Sequence, residues 1–203
     1  MQVTHHFSTP FWIDKLNFDY TTAAANCLEI KNNNVYPSRV KSNKGGWQSD
    51  GFNFKNLLDK YPAFVEFYQE FIRAVDLVGK SIHPDIEVLA RDAQVWINVN
   101  EAGDWNSPHI HPGASLSVVV YIQVDENTGS IVFTNGYWPI QHYPKIPFPS
   151  TRSLLKTTET YVPEQGMFLA FPSWVTHHVE PSKSTLTRIS LAANLFMRQK
   201  PTP

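Results

Sequence analysis

From Ile86 onward the chain breaks into short strand-like segments, and this change of character constrains the fold more than any other feature. The segments run at about Glu87 to Val99, Ser115 to Val124, Gly129 to Thr134, Ser153 to Val162, Gly166 to Phe171, Trp174 to Val179 and Thr187 to Met197. Each carries the β-branched and aromatic content of a strand, and turn clusters such as Asp125 to Gly129 separate them. Helical periodicity is confined to the residues before them. Helices first and strands afterwards give an α+β chain, mainly β, in which helices buttress one face of a β-sandwich or jelly roll.

The first third, 1–85, reads as a helical framing region. Phe7 to Ile13 suggests an edge strand interrupted by Pro10. Asp19 to Ile30 is helix-compatible, with Asp19 or Thr21 as N-cap and Asn32-Asn33-Asn34 as a stop. Val40 to Phe54 is turn-rich, with bends at Gly45-Gly46 and Asp50-Gly51. A strong helix follows from about Asn56 to Val78, burying Phe64, Tyr68, Phe71, Val75 and Val78 and ending at Gly79. With a β core over 86–197 and no linker, 1–203 is expected to be a single domain, and 203 residues suffice for one sizeable core. The proline-dense stretch from Pro139 to Pro149 reads as a stiff loop or lid over the mouth of the β structure.

Charge and cysteine usage narrow the functional classes. A formal net charge of −1 leaves no electrostatic footprint for nucleic acid or an anionic membrane. Cys27 is the one cysteine, so no intrachain disulfide forms, which suits a reducing compartment. No apolar run approaches a membrane span, and the N-terminus lacks a basic region followed by an apolar stretch. The expectation is a soluble, cytoplasmic protein.

The chemistry gathers at His109-Ile110-His111. Two histidines at i and i+2 of an extended segment project to the same side, so both rings can meet one ion. A third imidazole comes from Phe171-Pro172-Ser173-Trp174-Val175-Thr176-His177-His178-Val179. Imidazole suits iron, copper, nickel and zinc, whereas magnesium and calcium sites are built from oxygen. Strand alternation puts His177 on the side of the apolar Val175 and Val179, and His178 on that of Trp174, Thr176 and Glu180, which favours His177 as the ligand. In the last strand Arg188, Ser190 and Asn194 share one parity, opposite Ile189, Leu191 and Leu195. A buried arginine on such a face can hold a carboxylate through a planar two-point fork. Gln94, Trp96 and Asn98 likewise share one side of their strand and could line a substrate pocket; Trp96 is equally compatible with a core role.

These motifs together resemble a known family. His109-Ile110-His111-Pro112-Gly113, Leu116-Ser117, Tyr121 and Gly129-Ser130-Ile131-Val132-Phe133 look like the first half of an iron(II)/2-oxoglutarate-dependent oxygenase core. Gly166-Met167-Phe168-Leu169-Ala170-Phe171-Pro172-Ser173-Trp174, with His177, Val179, Pro181, Arg188, Ser190 and Asn194, resembles its second half. The likeness spans about Gln94 to Asn194 and points to the small bacterial and phage members related to prolyl hydroxylases. It implies a double-stranded β-helix from roughly Ile86 to Met197, with iron(II), 2-oxoglutarate and O2 as reaction partners. It also implies hydroxylation of a small molecule or protein side chain, with release of succinate and CO2. By the same resemblance His109, His111 and His177 would hold iron, while Arg188, Ser190, Tyr121 and Asn194 would bind the cosubstrate.

One position departs from the superfamily pattern. Most such oxygenases have His-x-Asp or His-x-Glu where this chain has His109-x-His111, and Asp104 lies too early to substitute. Either a three-histidine face holds the metal, or His111 supports His109 and His177 from outside the ligand set. Two other classes stand beside the oxygenase: a cupin-like metalloenzyme that does not use 2-oxoglutarate, and a jelly-roll binding module without catalysis. Arg188 and Ser190 argue against the first, since such enzymes need no clamp for a distal carboxylate.

Overall fold

The strand-like runs pair into antiparallel sheets in the computed structural model, which describes residues 8–136 and 157–200. In chain order the strands are β1 (Trp12–Lys15), β2 (Asn43–Lys44), β3 (Trp47–Gln48), β4 (Ile86–Val88), β5 (Gln94–Asn100), β6 (Trp105–His109) and β7 (Leu116–Gln123). They continue as β8 (Ile131–Thr134), β9 (Thr158–Tyr161), β10 (Met167–Pro172), β11 (Thr176–Val179), β12 (Arg188–Leu195) and β13 (Met197–Gln199). The helices are α1 (Tyr20–Asn32), α2 (Phe54–Leu58) and α3 (Phe64–Ile82). A large sheet has the order β1-β10-β7-β12-β5-β3, and a smaller one the order β2-β6-β11-β8-β9. Strands β4 and β13 form a separate ribbon. The two main sheets form the jelly roll that the strand count and the resemblance both led us to expect.

Alternation on the large sheet makes two cores. Val95, Ile97 and Val99 of β5, Val118, Val120 and Ile122 of β7, and Ile189, Leu191 and Ala193 of β12 join one apolar cluster with Ala23, Cys27 and Ile30 of α1 and Phe64, Phe67 and Phe71 of α3. That is the helix-covered outer face. The opposite parity supplies Val119, Tyr121, Leu169 and Phe171, which meet Ile131 and Phe133 of the small sheet in a second cluster. Between those layers the same parity also brings polar groups inward, and there the cavity lies.

The framing helices differ from the sequence expectation in one informative way. The single helix expected from Asn56 to Val78 is two helices, α2 and α3, separated around Pro62. Proline lacks a backbone N–H and pushes the residue before it out of the helical region, so a helix cannot run through Tyr61-Pro62 undisturbed. At its other end α3 does not stop at Gly79 but continues to Ile82. Gly79 has a packing role instead: a Cβ there would lie 3.2 Å from Val88 Cγ2, where the helix crosses β4. Phe64 and Phe71 are buried as expected, joined by Phe67, and the Phe71 ring meets Phe168 of the sheet edge-on at 6.1 Å. Tyr68 packs against the margin of that cluster.

Other boundaries follow simple chemistry. Asp19 caps α1 by accepting the Thr22 N–H at 3.0 Å, and β1 begins only after Pro10. The run from Glu87 to Val99 is interrupted by a 3-10 turn at Ala90–Asp92, and Trp105–His109 forms a strand of its own. The Pro139 to Pro149 stretch and the start of the strand expected at Ser153 lie outside the described residues. Among the described residues no helix is long and apolar enough to cross a membrane.

Candidate metal centre and cosubstrate pocket

Antiparallel pairing of β6 with β11 sets His109 directly opposite His177. The strand ends at His109, yet the chain stays close, because His111 N–H donates to Ser173 O at 2.9 Å, beside the start of β11. All three rings therefore converge, and one nitrogen from each lies within 4.8 Å of the others. His178 is not in this cluster; it occupies the other parity, opposite Val132.

Backbone contacts settle which nitrogens face the gap. A carbonyl oxygen only accepts, so Nδ1 of His109, 2.7 Å from Ser107 O, and Nδ1 of His177, 2.9 Å from Val175 O, must carry hydrogens. In the neutral rings each Nε2 then keeps its lone pair for a metal. His177 Nε2 and His111 Nε2 stand 3.2 Å apart. Two nitrogens bound to one ion at about 2.1 Å would stand roughly 3.0–3.4 Å apart, so the spacing fits shared coordination. His111 is held between two rings, stacked on Trp96 at 5.6 Å and on His177 at 5.1 Å. Burial drives the pKa of His177 down to about 3 and that of His111 to about 4, and in both a protonated His109 would repel the added charge. Burial lowers His109 too, against the opposing pull of its bond to Ser107 O. The trio is neutral and unprotonated at neutral pH, as a metal site requires.

No carboxylate joins the cluster among the described residues. Asp104 is committed elsewhere: it accepts the Glu101 N–H at 2.7 Å and lies tightly under Gly45, where φ is +72° and a Cβ would strike its carboxylate. The donor set is thus three imidazoles, a fit for iron(II) with other positions on the ion left open.

Behind the metal position the cavity, about 580 Å³, runs along the inner faces of β5, β7 and β12. Arg188 is part of its lining and is only 3% exposed. Its Nη1 donates to Asn100 Oδ1 at 3.2 Å and, at 3.4 Å, to Ser190 Oγ, and its guanidinium lies 5.2 Å from the Tyr121 ring centre. Among the described residues Nε has no hydrogen-bond partner, nor does the buried Tyr121 hydroxyl. The two groups feel one another's field without reaching hydrogen-bond geometry. Burial pulls the guanidinium below its usual range and pushes the Tyr121 hydroxyl up. Asn100 was not singled out in the sequence, although it continues the parity of Gln94, Trp96 and Asn98 by one more step.

The remaining candidates divide along the strand. Ser190 lies opposite Asn98 and Tyr121, close to Arg188, whereas Asn194 lies opposite Gln94 and Ser117 at the other end of β12. Asn194 lies six positions along the strand from Arg188, about 20 Å. Gln94, Trp96, Asn98 and Asn194 all line the same cavity, and Asn194 Oδ1 is buried without a partner among the described residues.

A family model described as "Putative 2OG-Fe(II) oxygenase" matches residues 94–194. A prolyl-4-hydroxylase from Pseudomonas putida superposes with a TM-score of 0.64 at 12% identity, over 96% of this chain and 95% of that one. A prolyl hydroxylase from Trichoplax adhaerens, solved with a peptide of the hypoxia inducible factor, gives a TM-score of 0.63 at 13% identity, covering 92% and 83%. HygX from Streptomyces hygroscopicus, solved with nickel, 2-oxoglutarate and hygromycin B, gives 0.56 at 12% identity, covering 93% and 83%. No curated protein matches the chain by sequence. With the matched segment spanning every histidine of the cluster and Arg188, the chain belongs to the iron(II)- and 2-oxoglutarate-dependent oxygenases.

Proposed function

We propose that the protein hydroxylates its substrate at an iron held by His109, His111 and His177, with Arg188 as the anchor for the far carboxylate of 2-oxoglutarate. The observation that carries this is the state of Arg188. Among the described residues it is a buried cation whose side-chain hydrogen bonds go only to neutral groups, with Nε unpartnered, in the lining of a cavity that the three imidazoles also line. A buried charge is costly unless it is paired. A dicarboxylate that reaches from the metal to this guanidinium supplies the missing partner, and the Tyr121 hydroxyl and Ser190 Oγ can each give it a further hydrogen bond.

Iron(II) with 2-oxoglutarate and O2, when bound, supplies the oxidising chemistry that converts a C–H bond to an alcohol. The residues of the chain do the rest. Ser107 O and Val175 O fix the tautomers and aim the rings, and Trp96 holds His111 in place by stacking. Leu169, Phe171 and Phe133 line the layer between the sheets and keep water from that side. Gln94 and Asn194 line the cavity at the other end of the β5–β12 ladder from Arg188, with Trp96 and Asn98 between, and we assign these four to the substrate end. The structural relatives include a hydroxylase with a protein-derived peptide and an enzyme with a small molecule, so both a protein side chain and a small metabolite suit this end. In this reading 1–203 is one domain, 1–85 framing and 86–197 the core, working in the cytoplasm, where the buried Cys27 stays reduced. Anaerobic iron(II) titration with and without 2-oxoglutarate tests the reading. A visible absorption band that requires both supports it, and a protein that binds iron but ignores 2-oxoglutarate is instead cupin-like.

A further inference from the structure

The segment before β3 brings a hydroxyl to the metal position that the sequence motifs do not include. Ser42 Oγ stands 3.4 Å from His109 Nε2, the nitrogen that faces the cluster. The serine is firmly placed. Its carbonyl accepts the Ser107 N–H at 2.8 Å and the Ser107 hydroxyl at 3.1 Å, and Asn43 next to it pairs with Asn106. The buried Asn106 amide donates to Ser42 Oγ at 3.0 Å.

The direction of these bonds matters. Asn106 Nδ2 can only donate, so Ser42 Oγ accepts from it, and its own hydrogen is free to point elsewhere. His109 Nδ1 is committed to Ser107 O, so Nε2 holds a lone pair and is an acceptor for that hydrogen. An ion bound by His109 takes that lone pair away. The hydroxyl, still fixed by Asn106 and by its backbone, then has its hydrogen free for another acceptor near His109 Nε2.

Resting on the reading of the site given above, we infer that Ser42 is a positioning residue: its hydroxyl donates a hydrogen bond to the exchangeable ligand next to His109, with Asn106 setting its direction. No other hydroxyl among the described residues forms a hydrogen bond with a cluster nitrogen. The cluster carries no carboxylate, so there is no acidic oxygen in it to compete for that hydrogen.

Nitric oxide serves as the probe, because it occupies an exchangeable position on iron(II) and gives a distinct electron paramagnetic resonance signal. Full-length protein loaded anaerobically with iron(II) and 2-oxoglutarate is titrated with it, and iron affinity is measured separately. Ser42→Ala should leave iron affinity within about twofold and weaken nitric oxide binding by about fivefold, the effect of one neutral hydrogen bond. The signal should also change shape. Ser42→Thr, which keeps the hydroxyl, should restore both, and Asn106→Ala should reproduce part of the loss. Identical nitric oxide affinity and signal in wild type and Ser42→Ala overturn the inference. So does a loss of iron in Ser42→Ala of a hundredfold or more by the same scale, which would make Ser42 a ligand. Wild-type protein that takes up no iron overturns the underlying reading as well, and is distinguishable from both.

Discussion

His109 and His177 face each other across the β6–β11 ladder with ring centres 4.3 Å apart, and each turns its Nδ1 to the carbonyl two residues before it. The register of one strand pair therefore sets two candidate ligands at once. A slip by one residue would replace His177 with His178, whose side chain lies on the opposite face.

That relationship yields a direct comparison. His177→Ala should abolish tight iron binding, while His178→Ala should leave most of it. Equilibrium titration of the metal-free protein with iron(II) under anaerobic conditions measures both. The reverse order of effects would place the strand one residue out of register.

The role of His111 is separable in the same assay. As a ligand, it should cost as much iron affinity on replacement by Ala as His177 does. As an outer support, its loss should cost about 10–100-fold, the range for groups that orient ligands. The 3.2 Å approach of its Nε2 to that of His177 predicts the first result.

Acid should destabilise the metal-free protein through these rings. Unfolded histidines take up protons near pH 6.5, whereas His111 and His177 in the fold do so only near about 4 and about 3. Between those limits the unfolded state binds more protons, so stability is intact above about pH 6.5 and is lost as pH falls below it. Thermal unfolding at pH 7.5 and pH 5 should show a drop in Tm that shrinks in a His111→Gln, His177→Gln double variant. An unchanged drop in that variant would assign the acid sensitivity to other groups.

The helix-covered face should be the main source of stability. Phe71 is fully buried on α3 against Phe54, Phe67 and Phe168. Phe71→Ala should cost about 3–5 kcal/mol, the range for removing a core aromatic. Leu77→Ala on the same helix, 52% exposed, should cost little. Urea unfolding of both variants compares them, and equal losses would contradict the packing described here.

Local pattern carried much of this into the sequence. The parity of Arg188 and Ser190 and of His177 with Val175 was legible because strand alternation is strict. The helix break at Pro62 was legible in principle, from one residue that cannot donate, but the strong apolar periodicity on either side concealed it. Asn100 needed only one more step of the β5 alternation. Ser42 had no local signal, because it reaches the site solely through the pairing of β2 with β6 across more than sixty residues of chain. The separation of Asn194 from Arg188 follows from strand length, which parity alone does not convey.

Arg188 is proposed to hold the distal carboxylate of 2-oxoglutarate, and the affinity of metal-loaded protein for that compound shows whether it does. Anaerobic titration of iron(II)-loaded wild type and Arg188→Ala with 2-oxoglutarate, followed by visible absorption, gives both dissociation constants. Removing the buried guanidinium leaves a carboxylate unpaired there, a loss of about 2–5 kcal/mol, or roughly 30-fold to several-thousand-fold in affinity. Iron affinity should stay nearly unchanged, and Arg188→Lys should recover only part, since a point charge replaces a fork. An Arg188→Ala variant that binds 2-oxoglutarate as tightly as wild type would contradict the account.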